Sequence, residues 1–205
     1  PLAAILGYLE LLKSELEPGQ NRELVEHSLG EIARIDRLVR ELLDYAVPAG
    51  GEKGVVDPAD VLREVIDTLR HQKAFKSIRF NLVCPDHLGL VRIDSHKLMQ
   101  VLVNLMVNAK DAMTDANQIH VKANRVGQFS EISIRDEGSG IPDDVLPHIF
   151  DPFFTSKPQG KGRGLGLTIC QSIITEAGGK IVARSRKDAG TTFTVVLPIE
   201  KDEST

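Results

Sequence analysis

Leu2, Ile5, Leu9, Leu12 and Leu16 recur at steps of three and four, which predicts a helix whose single apolar stripe must be buried. Glu17-Pro-Gly-Gln20 stops that helix. A second pattern then runs in heptads, with Val25, Ile32, Val39 and Ala46 at one position and Ser28, Ile35 and Leu42 at the other, flanked by Leu24, Leu38 and Leu43. Two helices joined by so short a break predict an antiparallel hairpin. The stripe is wider than one partner helix would cover, so two hairpins are expected to pair as a four-helix bundle in a homodimer. The alternative cover is the chain's own second domain.

Pro48-Ala-Gly-Gly-Glu-Lys-Gly54 collects turn formers and reads as a linker, after which helical and strand patterns mix. Asp57-Pro58 predicts a helix start, with Asp57 as cap and Val61, Leu62, Val65, Ile66 and Leu69 on the buried side. Ile78 to Val83 and Leu88 to Ile93 read as strands, and Asp94 as the cap of a helix reaching Ala112. Ile119 to Ala123, Glu131 to Arg135, Lys180 to Ser185 and Thr191 to Pro198 complete the strands, and Leu165 to Ala177 adds a helix. The expected class is α+β: a hairpin over 1–47, a linker over 48–55, an α/β sandwich over 56–200 with helices on one face of a mixed sheet, and a tail over 201–205.

Composition narrows the chemistry. The chain has 205 residues, 41% of them hydrophobic, enough for a real core. A net charge of -4 with no strongly basic stretch argues against nucleic acid as the main partner. Cys84 and Cys170 have no metal-type spacing and read as core residues of a reducing compartment. No apolar run approaches the ~20 residues of a spanning helix, so no membrane contact is expected of this stretch. A membrane-anchored parent stays open, because the chain starts without Met and already inside a helical pattern.

Four small clusters then follow in order. On the helix expected from Ser95, Asn104 and Asn108 lie four apart on one face, and an amide carbonyl is a hard oxygen ligand suited to Mg2+ beside phosphate oxygens. Alone, such a pair is an ordinary polar helix edge. Asp136 ends a strand before Gly138, Ser139 and Gly140, where backbone could approach a flat ligand and the carboxylate could accept from the amino group of adenine. The plainer reading is an Asp closing its own turn. Phe150-Asp-Pro-Phe-Phe-Thr-Ser-Lys157 anchors a loop by its aromatic residues. From Thr155 to Arg163 the chain carries three cations, Lys157, Lys161 and Arg163, with Gly160 and Gly162 and no acid, the make-up of a lid over polyphosphate. Gly164-Leu-Gly-Leu167 opens the next helix, whose free N–H groups favour phosphate. Neither the P-loop nor the dinucleotide fingerprint is present.

Together these residues resemble the catalytic domain of sensor histidine kinases, within the gyrase, Hsp90, histidine kinase and MutL ATPase fold. Asn104 and Asn108 match the N box, Asp136 to Gly140 the first glycine box, Phe150 to Lys157 the F box, Gly162 to Leu167 the second glycine box, and Gly190-Thr-Thr-Phe193 a last one. The resemblance implies ATP and Mg2+ as ligands, with Mg2+ on Asn108 and adenine on Asp136. It implies that Gly138, Gly140, Ile141, Phe150, Thr155, Lys161, Gly162, Gly164, Leu165, Gly166, Leu167 and Thr192 line the nucleotide site. Asn104, Lys157 and Arg163 are the residues it places in catalysis. The short lid and the Phe-Phe-Thr-Ser-Lys wording resemble the nitrogen-regulatory subgroup. The hairpin resembles the dimerisation and phosphotransfer domain, with Pro1-Leu-Ala-Ala-Ile5 following the phospho-accepting motif, so the acceptor histidine is expected five residues before Pro1 and outside this chain. The chain as given is then expected to bind nucleotide without autophosphorylating. His27, His71, His87, His96, His120 and His148 are read as structural or surface residues.

The implied reaction moves the γ-phosphoryl group of ATP to a histidine nitrogen and on to a response-regulator receiver domain, in a bacterial cytoplasm. Enzymes of this fold that hydrolyse ATP carry Glu where this chain has Asn104, and an amide cannot take a proton from water. The rival readings are a non-catalytic nucleotide-binding dimerisation module and an ATPase of the same fold.

Overall fold

The computed structural model describes residues 2–17, 19, 21–32, 54–113, 117–155 and 164–200. The chain divides into two compact units, residues 1–50 and 51–205.

In the first unit, helix α1 (Leu2–Glu15) and a helix α2 whose described part spans 21–32 flank the break expected at Pro18. Lys13 Nζ reaches Glu26 Oε1 at 3.0 Å, and Arg22 Nε approaches the same oxygen at 3.8 Å. Arg22 also donates to the Leu16 carbonyl at 3.4 Å, covering an otherwise orphaned group at the end of α1. The Lys13 hydrogen bond holds the Glu26 carboxyl below its ordinary range. The heptad positions from Ile35 onward lie outside the described residues.

The second unit begins with a two-residue strand, β1 (Val55–Val56), where the linker was expected to run on to residue 55. Asp57 then caps α3 (Pro58–His71), accepting from the N–H of Ala59 at 2.9 Å and also from that of Leu88 at 3.2 Å. The same carboxylate thus starts a helix and pins a distant loop. The five-stranded sheet contains β2 (Arg79–Val83), β4 (Gln118–Val126), β5 (Phe129–Arg135), β6 (Lys180–Ser185) and β7 (Thr191–Pro198) in the order β2-β4-β5-β7-β6. Among the described residues only the β2–β4 pair of this sheet is parallel. β1 pairs separately with β3 (Val91–Arg92).

The run from Leu88 to Ile93 is therefore mostly not strand, contrary to its composition. Leu88 and Ile93 are buried, but Gly89 takes φ 93° with the Ile199 side chain against it, and a residue in that conformation interrupts a ladder.

Helices α4 (Ser95–Ala112), capped by Asp94 through the Lys97 N–H at 3.0 Å, and α5 (Gly166–Glu176) complete the layer. α4 packs against both α3 and α5 and reaches β4 and β5. Leu98, Val101, Leu102, Leu105 and Met106 on α4 share one core with Ile119 and Val121 of β4, Ile132 and Ile134 of β5, and Phe193 and Val195 of β7. Burial alternates along these strands, so one face of the sheet meets the helices and the other meets solvent.

Candidate nucleotide site

Asp136 stands one residue past β5 and is 2% exposed. Its Oδ1 accepts two backbone bonds, from the Gly138 N–H at 2.9 Å and the Thr191 N–H at 3.1 Å. The turn-closing bond of the plainer reading is thus present, but it uses one oxygen only. Among the described residues Oδ2 accepts no hydrogen bond and is not sealed from solvent. Burial raises the Asp136 carboxyl above its ordinary range, opposed by the Gly138 and Thr191 N–H groups. A buried carboxylate with one oxygen committed and one open suits a donor arriving from outside.

The glycines around it also have a reason in the packing of the fold. Gly138 lies against the Ala112 carbonyl, so no Cβ fits there. Gly140, at φ 65°, lies against the Arg186 carbonyl in the same way. Both let the 136–140 loop close on protein backbone, the end of α4 on one side and the turn before β7 on the other. The Ser139 N–H donates to the Ala112 carbonyl at 3.1 Å, and the Asp188 N–H donates to the Ser139 carbonyl at 2.7 Å.

Back along α4 from Ala112, Asn104 and Asn108 are half-buried on one face. Asn104 Nδ2 donates to Cys170 Sγ on α5 at 3.3 Å. A Cβ at Gly166 would come within 2.7 Å of that nitrogen, so the first turn of α5 can approach Asn104 only as glycine. Gly164, at φ 68°, sits in turn on the backbone of Phe153 and Phe154. The second glycine box is thereby seated between the F box and the N box. Thr168 Oγ1 strengthens the seat by donating to the Phe150 carbonyl at 3.0 Å.

α5 has Leu165 at its cap position and no side-chain cap, which suits its first N–H groups to an outside acceptor. From Asn104 to Ala112 is eight residues, or roughly 12 Å along the helix axis. Asp136 sits with Gly138 at the Ala112 end, the uncapped α5 terminus at the Asn104 end, and Asn108 between them. A nucleoside triphosphate has its amino donor and its phosphates at opposite ends of a comparable length.

Of the remaining expected residues, Leu165 is buried, and Ile141, Phe150 and Leu167 are partly buried against the core. The Ile141 N–H donates to Ser185 Oγ at 2.8 Å. Thr155 is exposed. Lys157, Lys161, Gly162 and Arg163 lie outside the described residues, and with them nearly all of the expected lid. No group of three or more His, Cys, Asp or Glu among the described residues is placed to hold a metal. A cation here would depend on amide, phosphate and water oxygens, the set that Mg2+ accepts.

The contact with Asp136 is made by the neighbour of Thr192. It is Thr191, rather than Thr192, whose N–H meets Asp136 and whose Oγ1 lies 2.8 Å from Ser185 Oγ. Ser185 was not expected at the site, and Thr191 was expected only within the last glycine box. The signal existed in the alternation of β7, where Phe193, Val195 and Leu197 put odd-numbered positions on the inner face. His120, read as structural, bonds Glu137 beside Asp136 at 3.1 Å. Cys170 had no local signal at all.

Two family models match this chain. Residues 93–201 match the histidine kinase-, DNA gyrase B- and HSP90-like ATPase family, and residues 1–48 match the His Kinase A phospho-acceptor domain. The chain is 30% identical to sporulation kinase E of Bacillus subtilis, over 98% of its own length and 27% of the relative's. It is 32% identical to the sensor histidine kinase ZraS of Escherichia coli, over 97% of its length and 43% of the relative's. The chain thus spans less than half of these relatives. Among solved structures, the nucleotide-free catalytic domain of histidine kinase ThkA aligns at a TM-score of 0.62 and 31% identity, covering 71% of this chain and 94% of that one. Full-length ShkA in complex with AMPPNP aligns at 0.78 over 97% of this chain and 43% of that one, and at 24% identity it speaks for the fold.

Proposed function

Because the chain belongs to the two-component sensor histidine kinases, matching both their phospho-acceptor and their ATPase family models, we propose that it is the dimerising, nucleotide-binding core of a kinase. That kinase moves the γ-phosphoryl group of ATP to a histidine nitrogen and passes it to a response-regulator receiver domain. The observation that carries the reading is Asp136: buried, with both of its backbone bonds on Oδ1 and Oδ2 left for the amino group of adenine.

Phosphoryl transfer of this kind needs positioning and charge neutralisation more than covalent work by the protein. Asp136 holds the base, the uncapped N–H groups of α5 receive phosphate, and the lid cations Lys157, Lys161 and Arg163 add positive charge. Mg2+, held by Asn108 with substrate oxygens, would neutralise charge on the phosphates. Asn104 occupies the position from which a carboxylate would activate water, so the site favours transfer to histidine over hydrolysis.

The hairpin supports the homodimer. Ile5, Tyr8, Leu11, Leu12 and Leu24 are 45, 68, 62, 47 and 66% exposed, an apolar surface that a second copy of the hairpin would cover as a four-helix bundle. The Phe-Phe-Thr-Ser-Lys wording and short lid support a nitrogen-regulatory-like kinase. The location proposed is the bacterial cytoplasm; no helix among the described residues is long and apolar enough to cross a membrane.

Calorimetric titration with a non-hydrolysable ATP analogue, with and without Mg2+, tests the site. Saturable, Mg2+-dependent binding is expected, and its absence overturns the reading. Labelled ATP given to the full-length protein should leave an acid-labile, base-stable label. Steady phosphate release without that label would make it an ATPase instead.

A further inference from the structure

Gly166 and Cys170 lie four residues apart on one face of α5, and both meet Asn104. Asn104 Nδ2 donates to Cys170 Sγ at 3.3 Å. A Cβ at Gly166 would stand 2.7 Å from Nδ2, 2.8 Å from Oδ1 and 3.2 Å from the amide carbon, so the amide points end-on at that glycine. Cys170 is 1% exposed, and burial pushes its thiol up to about 12, opposed by the Asn104 bond. The sulfur therefore keeps its proton at neutral pH. That proton is directed at the Val101 carbonyl, 3.9 Å away. With S–H directed there, the sulfur is an acceptor toward Asn104, and the amide must turn its nitrogen to it. Oδ1 is then the end left for the site.

The geometry points to Cys170 as a positioning residue that selects which end of the Asn104 amide faces the reacting phosphate. The inference rests on Asn104 lying in the active site, as proposed above. An amide is nearly symmetric in shape and opposite in hydrogen bonding at its two ends. Packing end-on against Gly166 confines the amide, but confinement alone does not distinguish oxygen from nitrogen. The thiol makes that distinction, acting from a shell of side chains that touches no nucleotide. An apolar side chain of similar size would fill the space and lose the choice, while a hydroxyl would keep it.

The test compares Cys170→Val, which fills the space without a polar atom, with Cys170→Ser, which keeps a donor and an acceptor. Nitrogen-15 spectra of the nucleotide-free chain report the Asn104 side-chain NH2 group, identified by its loss in Asn104→Asp. Cys170→Val should shift those signals and speed their exchange with water by about fivefold, the worth of one modest hydrogen bond. Cys170→Ser should resemble the wild type. In the full-length kinase, Cys170→Val should lower kcat by about fivefold with KM for ATP within about twofold, and Cys170→Ser should restore it. Unmoved Asn104 signals in Cys170→Val, or equal behaviour of the two variants, overturns the inference. Should Cys170→Val fail to fold, Cys170→Ala gives the same contrast with less bulk. Because the spectra need no nucleotide, a wild type that binds none would refute the proposed function, while the Asn104 signals would still decide whether Cys170 orients that amide.

Discussion

Asp136→Asn changes one atom of the site and leaves its shape. The Gly138 and Thr191 N–H groups both point at Oδ1, at 2.9 and 3.1 Å, so the new side chain must keep its oxygen there to satisfy them. Its nitrogen then occupies the place of Oδ2. A donor now confronts the amino group of adenine where an acceptor stood. A hydrogen bond to a charged acceptor is worth ~1.5–3 kcal/mol, so affinity for an ATP analogue should fall by about 10- to 100-fold. Folding should not suffer. Burial raises the Asp136 carboxyl, so the charged form costs the folded state at neutral pH, and the neutral amide avoids that cost. The sign follows from linkage: the penalty is full above the raised folded value, shrinks as pH falls towards the ordinary value of the unfolded chain, and is absent below both. Asp136→Asn should therefore be the more stable protein at pH 7, with an advantage that disappears in acid. Calorimetric titration measures the affinity, and urea denaturation at several pH values measures the stability. Wild-type affinity in Asp136→Asn would refute the assignment of this carboxylate to the base.

Three further expectations follow from the same contacts. Asn104→Glu should raise phosphate release from ATP by placing a carboxylate where water can be activated, and an unchanged steady-state rate would count against the reason given for the amide. Thr191→Val removes a hydroxyl 2.8 Å from Ser185 Oγ, and should cost about 1 kcal/mol in stability and weaken nucleotide binding. Thr192→Val should do neither, and a reversed order in paired titrations would make Thr192 the site residue of the two. Asp57→Ala deprives the Ala59 and Leu88 N–H groups of their acceptor and should lower the unfolding free energy by about 1–2 kcal/mol, read from the urea midpoint.

What was legible from the sequence was what neighbours along the chain decide. Asp57-Pro58 and Asp94 announce helix starts because capping involves residues within one turn. The pairing of Asn104 with Asn108 follows from helical spacing alone, and Pro18 marks the break between α1 and α2 for equally local reasons. The alternation of β7 even contained the choice between Thr191 and Thr192, although adjacent threonines concealed it. Contacts made across long stretches of chain had no such signal. Leu88 to Ile93 has the composition of a strand, yet the packing of Gly89 on Ile199, 110 residues on, keeps most of it out of the ladder. Gly138, Gly140 and Gly166 could be recognised as glycines that matter, but only the fold shows that they admit Ala112, Arg186 and Asn104. The bond from Asn104 to Cys170 spans 66 residues and joins two helices whose sequences do not refer to each other. Periodicity and capping act within a turn or two of backbone, whereas the orientation of a buried amide depends on which distant atoms close-packing brings beside it.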